Sequence, residues 1–291
     1  MNGRTPEKGT HMLTTFLLRC KQREAALEPR LWTVPPEQHL RQLALHAGFA
    51  AFWTLLSAPA FGSRSRELVV RDGLTASELR IGAVMVALIC VNVVKKCIHG
   101  PMPSELLDML LPCHVYNALA AYAFLGTTVR ARETASNLLA YCAWMPLLAV
   151  AFPDTASVRR LKSPFFRAFS IALFFAHHVA LAAVPALLGR SVALGRHRVP
   201  APGVGSFAQY VAFANAYIGV ALCVLALLTS RNLNYALWPP PLPDSVRKKL
   251  GGVYYRVAVG LALSFVCGPL MRLVFYPASA ALSGVFLIEL I

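Results

Sequence analysis

Several polar or reactive side chains stand inside long apolar stretches of this sequence: His46, Asn92, Cys113, His114, Asn117, His177, His178, Gln209, Asn215 and Arg272. Each is costly in apolar surroundings and so needs a partner or a task. Cys113 and His178 are the types required for nucleophilic catalysis, since a histidine base that takes the thiol proton generates the attacking thiolate. Around Cys113 the chain reads Leu-Leu-Pro-Cys-His-Val-Tyr-Asn. Pro112 withdraws a backbone donor and disturbs the turn before it. Tyr116 and Asn117 fall near the face of Cys113, whereas His114 points about 100° away and is the less natural partner. His177 and His178 also face different directions, so one can serve as base while the other orients it or packs.

Blander roles compete with each of these. A cysteine in an apolar helix commonly just fills space, and a histidine there commonly hydrogen-bonds a neighbouring helix. Asn215 and Gln209 read as interhelical hydrogen-bonding groups, His46 as structural, and Arg272 as a side chain that snorkels to the interface. The sequence holds no usable HExxH, GxSxG, P-loop or GxGxxG context, so no metal site or cofactor is expected. Glu105 and Asp108 lie near a helix entrance and leave no intramembrane carboxylate pair, which argues against proton-coupled transport.

The elements that must carry these residues follow from composition. Apolar residues make up 57% of the 291 and charged ones 14%, with mean hydropathy +0.56, far from the balance of a soluble domain. Crossing the hydrocarbon core takes about 20 mostly apolar residues. Seven blocks meet or approach that: 42–61, 81–95, 105–126, 136–152, 168–188, 207–229 and 257–276. None shows strand alternation, and lipid cannot satisfy a bare backbone, so the spans are helices. The expected fold is all-α, a polytopic membrane bundle of about seven transmembrane helices. It has an N-terminal arm over 1–41, a membrane domain over 42–276 and an apolar segment over 277–291. In blocks three and five, which run the same way, Cys113 and His178 lie at depths agreeing within about 3 Å.

Charge sets the orientation. Eighteen of the 28 Lys and Arg residues fall on the side of the N-terminus and nine on the other, which predicts a cytoplasmic N-terminus. The net charge of +15 is scattered between apolar blocks, as suits anionic lipid head groups, and excludes nucleic acid as the expected partner. The seven cysteines show no paired spacing, so neither a disulfide framework nor a zinc site is expected. No cleavable signal peptide is evident, leaving the first apolar block as the insertion signal.

In order and spacing, a set of motifs over about residues 80–260 resembles the transmembrane protein 164 family, which is distantly similar to YwaF-like integral membrane proteins. The motifs are Leu-Leu-Pro-Cys-His-Val at 110–115, Ala-Phe-Pro-Asp-Thr at 151–155, His178 followed by Val184-Pro185, Ser206-Phe207, Asn232-Leu233-Asn234-Tyr235 and Tyr254-Tyr255-Arg256. The resemblance implies a seven-span endomembrane protein, in the endoplasmic reticulum or Golgi. It further implies a cysteine-dependent acyltransferase that takes an acyl chain from a donor phospholipid and gives it to a lysophospholipid through a thioester. Carried onto this chain, the nucleophile is Cys113 and its partner His178, supported by His114, Tyr116, Asn117 and His177. Asn232, Asn234 and Arg256 either hold a phosphate or order the loop. The chain departs from the family pattern at Leu111 (Asn in the family), at Ile218 (His after Tyr) and near Phe166 and Arg167, where an acidic residue is missing. These departures imply a different acyl preference or a member without activity. The alternative function is that of a non-catalytic membrane protein, a lipid-binding scaffold or a transporter.

Overall fold

A computed structural model describes residues 36–62, 74–99, 104–153, 158, 161–193, 200, 202–229 and 255–273. The described residues are overwhelmingly helical and contain no strand. Helix α1 runs Pro36–Gly62 and α2 runs Ala76–His99. The start of α2 is a capping box: the Thr75 amide donates to Glu78 Oε2 at 2.9 Å and the Glu78 amide to Thr75 Oγ1 at 3.3 Å. A 3-10 segment, Ser104–Leu110, leads into α3, Pro112–Leu125. Then follow α4 (Val129–Cys142), α5 (Trp144–Ala151), α6 (Pro164–Ala193), α7 (Val204–Ala214), a π segment Asn215–Ala221, and α8 (Leu222–Thr229). Last come α9 (Tyr255–Ala262), a second π segment Leu263–Cys267, and a short helical stretch over 268–273.

The described residues of the seven apolar blocks are largely helical, and five helical runs among the described residues are long and apolar enough to cross a membrane: Ala76–Ile98, Val129–Ala151, Pro164–Ser191, Val204–Leu228 and Tyr255–Leu273. The third block does not form one continuous span. Proline disfavours helical geometry in the residue before it, and Leu111 is extended at φ −68° and ψ 151°, so α3 begins afresh at Pro112. Its 14 residues cover about 21 Å, less than the hydrocarbon thickness. The fourth block is one run interrupted at Ala143, because Pro146 has no N–H to return to Cys142.

Burial is inverted relative to a soluble protein. Leu55, Phe165, Val266 and Leu273 are each more than 60% exposed, as expected of side chains that face lipid, while polar groups turn inward. The interior is rich in small residues: Ala120, Ala123, Ala135, Ala208 and Ala226 are fully enclosed, which lets helix backbones approach closely. Two-thirds of the α4–α5 run is buried but only 17% of α2, so α4–α5 is central and α2 peripheral.

The chain divides into two compact units. In the first (1–48 and 215–260), His46 Nδ1–H donates to Asn215 Oδ1 at 2.8 Å, as the structural reading of both residues anticipated. The His46 ring lies against the backbone of Gly219 and Gly260, where any side chain would collide with it. In the second (49–214 and 261–291), α3 packs on α2, α4, α5 and α6, and α7 packs on α4 and the second π segment. Gln209 accepts from Asn137 Nδ2 at 2.7 Å and donates to Thr134 at 3.3 Å, an interhelical link. Arg272 departs from expectation. It is 2% exposed, sits 5.6 Å over the Tyr141 ring and donates to the Pro200 carbonyl, so it packs inward instead of snorkelling.

Tyr210–O–H donates to Leu263 O at 2.6 Å, at the start of the second π segment, and its ring occupies the space a Cβ at Gly268 would need. Gly268→Ala is therefore expected to destabilise the protein by about 1–3 kcal/mol through overpacking. The midpoint of thermal unfolding in detergent checks this; an unchanged midpoint contradicts it.

Candidate functional site

The first turn of α3 determines what Cys113 can do. Pro112 occupies the first helical position, where its missing N–H is no loss, and Cys113 the second, where a backbone N–H has no intrahelical acceptor. The His114 and Val115 amides both return to Leu111 O, at 2.9 and 3.2 Å. The Cys113 thiol is half-buried and donates to the Met145 carbonyl on α5 at 3.9 Å.

His114, one residue on, turns toward α6. Its ring stacks on His177 with centroids 5.1 Å apart and planes 20° from parallel. Asn117 Nδ2–H donates to His177 Nε2 at 3.1 Å. That bond makes Nε2 the acceptor and leaves the proton of neutral His177 on Nδ1. His178 lies 5.1 Å from His177, ring to ring, and under Phe174 at 4.2 Å. Its Nδ1–H donates to Phe174 O, one turn back, at 2.7 Å. The lone pair of His178 is thereby set on Nε2, the nitrogen a general base would use.

The structure thus brings His114, Asn117, His177 and His178 together on the facing sides of α3 and α6. It does not join Cys113 to His178 by a hydrogen bond, the thiol being directed at Met145. The depth argument also changes basis. Cys113 sits at the start of a short helix and His178 midway along a long one, so residue counts along two full spans do not apply; what meets across α3 and α6 is the stack of their neighbours, His114 and His177. His114, the less natural partner by direction, makes the α3–α6 contact, because α3 faces α5 on one side and α6 on another. Tyr116 is fully buried and its hydroxyl has no partner among the described residues, so it packs in the core instead of touching the thiol.

Asn232 and Asn234 lie outside the described residues. Arg256 is buried in the first unit, where it donates to His39 Nδ1 at 3.2 Å and to Cys223 Sγ. Sequence reasoning passed over the Met145 carbonyl, whose only signal was the proline after it, and Lys95, which had counted only as charge. No group of three or more metal-ligating side chains occurs among the described residues.

The TMEM164 family model matches residues 36–273, most of the chain and all the helices that carry the cysteine and histidines. The chain belongs to the TMEM164 family. It is similar to the transmembrane protein 164 homolog of Dictyostelium discoideum, with 24% identity over 200 residues, which cover 67% of this chain and 66% of that relative, a little under two thirds of its length. No solved structure matches. Family membership and the inverted burial together establish a multi-pass helical membrane protein, and the Cys113 and histidine cluster of this TMEM164 member lies wholly within the matched region.

Proposed function

We propose that this protein is a membrane-embedded acyltransferase that moves an acyl chain from a phospholipid to a lysophospholipid through a thioester on Cys113, with His178 as the base. The observation that carries this reading is the His114–His177 stack together with the Asn117–His177 bond. These contacts bring the neighbours of Cys113 and His178 face to face across α3 and α6, and the Phe174 carbonyl fixes the tautomer of His178.

His178 Nε2 takes the thiol proton once Sγ leaves the Met145 carbonyl by a change of χ1 rotamer. The thiolate attacks the ester carbonyl of the donor; the C–S bond forms, the C–O bond breaks, and the departing lysophospholipid oxygen takes the proton from the imidazolium. In the second half, the acceptor hydroxyl gives its proton to Nε2 and attacks the thioester, and the thiol returns. The Cys113 N–H, the one amide in the first turn of α3 that does not return to Leu111 O, supplies a donor for the oxyanion of each tetrahedral intermediate. The short α3 suits this chemistry, because glycerol esters lie near the edge of the hydrocarbon layer and not at its centre. The N-terminus, with the arm over 1–41, is assigned to the cytoplasm, the spans to 42–276, and the protein to endoplasmic reticulum or Golgi membranes.

A second reading, a non-catalytic lipid-binding scaffold or transporter, is favoured by the Cys113–Met145 contact, which is how a packing thiol behaves. Trapping decides between them. Membranes incubated with an alkyne-tagged donor phospholipid are expected to yield a hydroxylamine-labile adduct at Cys113, absent in Cys113→Ala. A wild-type protein with no such adduct is a scaffold.

A further inference from the structure

Lys95 and Lys96 near the end of α2 have different surroundings. Lys96 Nζ donates to Asp108 Oδ2 at 2.8 Å, with both side chains mostly shielded, at 20% and 15% exposed. This ion pair fastens the 3-10 segment to α2 shortly before Cys113. Lys95 makes no hydrogen bond or ion pair among the described residues, although Asp108 lies within Coulombic range. It is half-buried and stands within electrostatic range of His114, His177 and His178. A cation with no committed partner among the described residues thus stands near the cluster, and His114 Nδ1 is a buried nitrogen without a hydrogen-bond partner among them. A lysine at the end of a span extends its ammonium to the level of the lipid phosphates.

We propose that Lys95 is a phosphate-binding residue whose ammonium holds the phosphate ester of the lipid presented to Cys113. This rests on the acyl-transfer reading for its context. In a glycerophospholipid only the glycerol unit separates the phosphate from the acyl ester. A cation near the end of α2, the helix on which α3 packs, is placed to hold one while the other reacts. Lysine binds phosphate as a point charge with three donors. Lys96 cannot substitute, because Asp108 engages it.

Binding is measured on the full chain in a neutral maltoside detergent and on a Cys113→Ala background, so that the outcome is independent of turnover. The probes are a photoreactive lysophosphatidylcholine and a photoreactive monoacylglycerol with the same acyl chain. Lys95→Gln is expected to weaken lysophosphatidylcholine labelling roughly tenfold, the scale of one charge-assisted contact, and to leave monoacylglycerol labelling unchanged. Lys95→Arg should keep the preference for the phosphate-bearing lipid. Equal labelling of both lipids by wild type, or full lysophosphatidylcholine labelling by Lys95→Gln, overturns the proposal. Should Lys95→Gln lose both labels, the fold has failed, and Lys95→Arg decides: a retained preference supports the site and a lost one removes it. Displacement of the lipid by an equal concentration of inorganic phosphate would show that the site reads free phosphate and overturn the lipid assignment. Thioester trapping at Cys113 reports the nucleophile separately.

Discussion

Cys113→Ala is expected to lower lipid acyl transfer by roughly 10³-fold or more, to the assay background, because the variant has no atom on which the acyl group can rest. His178→Ala should lose about 10² to 10⁴-fold, the usual contribution of a positioned base. If thiol and imidazole act as a unit, the two losses are not additive and the double variant is no slower than Cys113→Ala. His177→Ala provides the contrast. It removes the acceptor of the Asn117 bond and the platform for His114, so it loosens the α3–α6 contact without removing the base. Its expected signature is a smaller fall in rate accompanied by reduced thermal stability, whereas His178→Ala keeps stability and loses rate. Isotope-labelled lysophospholipid in membranes expressing each variant, followed by lipid mass spectrometry, checks the series. Full transfer by Cys113→Ala would end the enzyme reading.

The second large effect is on stability. Arg132 pairs with Glu78 with both side chains almost fully shielded, at 6% and 3% exposed. The same guanidinium donates through Nε to Ala123 O at 3.2 Å, near the end of α3. Glu78 also closes the capping box of α2. One ion pair thus ties the starts of α2 and α4 to the end of α3. Glu78→Ala leaves a buried guanidinium without its carboxylate and should cost about 3–5 kcal/mol. Glu78→Gln keeps one acceptor oxygen but loses the other and the charge, and should fall between alanine and wild type. Replacing both partners, Glu78→Leu with Arg132→Met, should recover most of the loss, since a buried pair exchanged for apolar volume is often near neutral. Denaturant titration in mixed micelles gives the comparison. A Glu78→Ala variant within about 0.5 kcal/mol of wild type, the range of ordinary surface changes, would refute the clasp.

What could be read from the sequence, and what could not, divides by length scale. Long apolar runs are set by lipid solvation over whole helices, and so the described residues of the seven blocks are largely helical, as the sequence predicts. Breaks are set by single residues. Pro112 announced a disturbance, but only the extended Leu111 shows that it ends one element and starts another. Ala143 is broken by a proline three residues later, within a run that reads as continuous. Side-chain direction needs the identity of the neighbouring helix, which no spacing supplies. His114 was discounted and Tyr116 favoured on angle alone, yet α3 presents His114 to α6 and buries Tyr116. Arg272 looked like a snorkelling end because its sequence position is near a helix exit, while its ring partner, Tyr141, comes from a helix far away in the chain.

The shortness of α3 has a chemical consequence. On the acyl-transfer reading, a helix of fourteen residues that begins at Pro112 sets Cys113 toward the edge of the hydrocarbon layer, where water reaches. An acyl group held on Cys113 would then lie within reach of water. Any opening wide enough to admit an acceptor alcohol also admits the solvent. Transfer and hydrolysis would compete for the same intermediate, so a working enzyme starved of acceptor would release free fatty acid slowly.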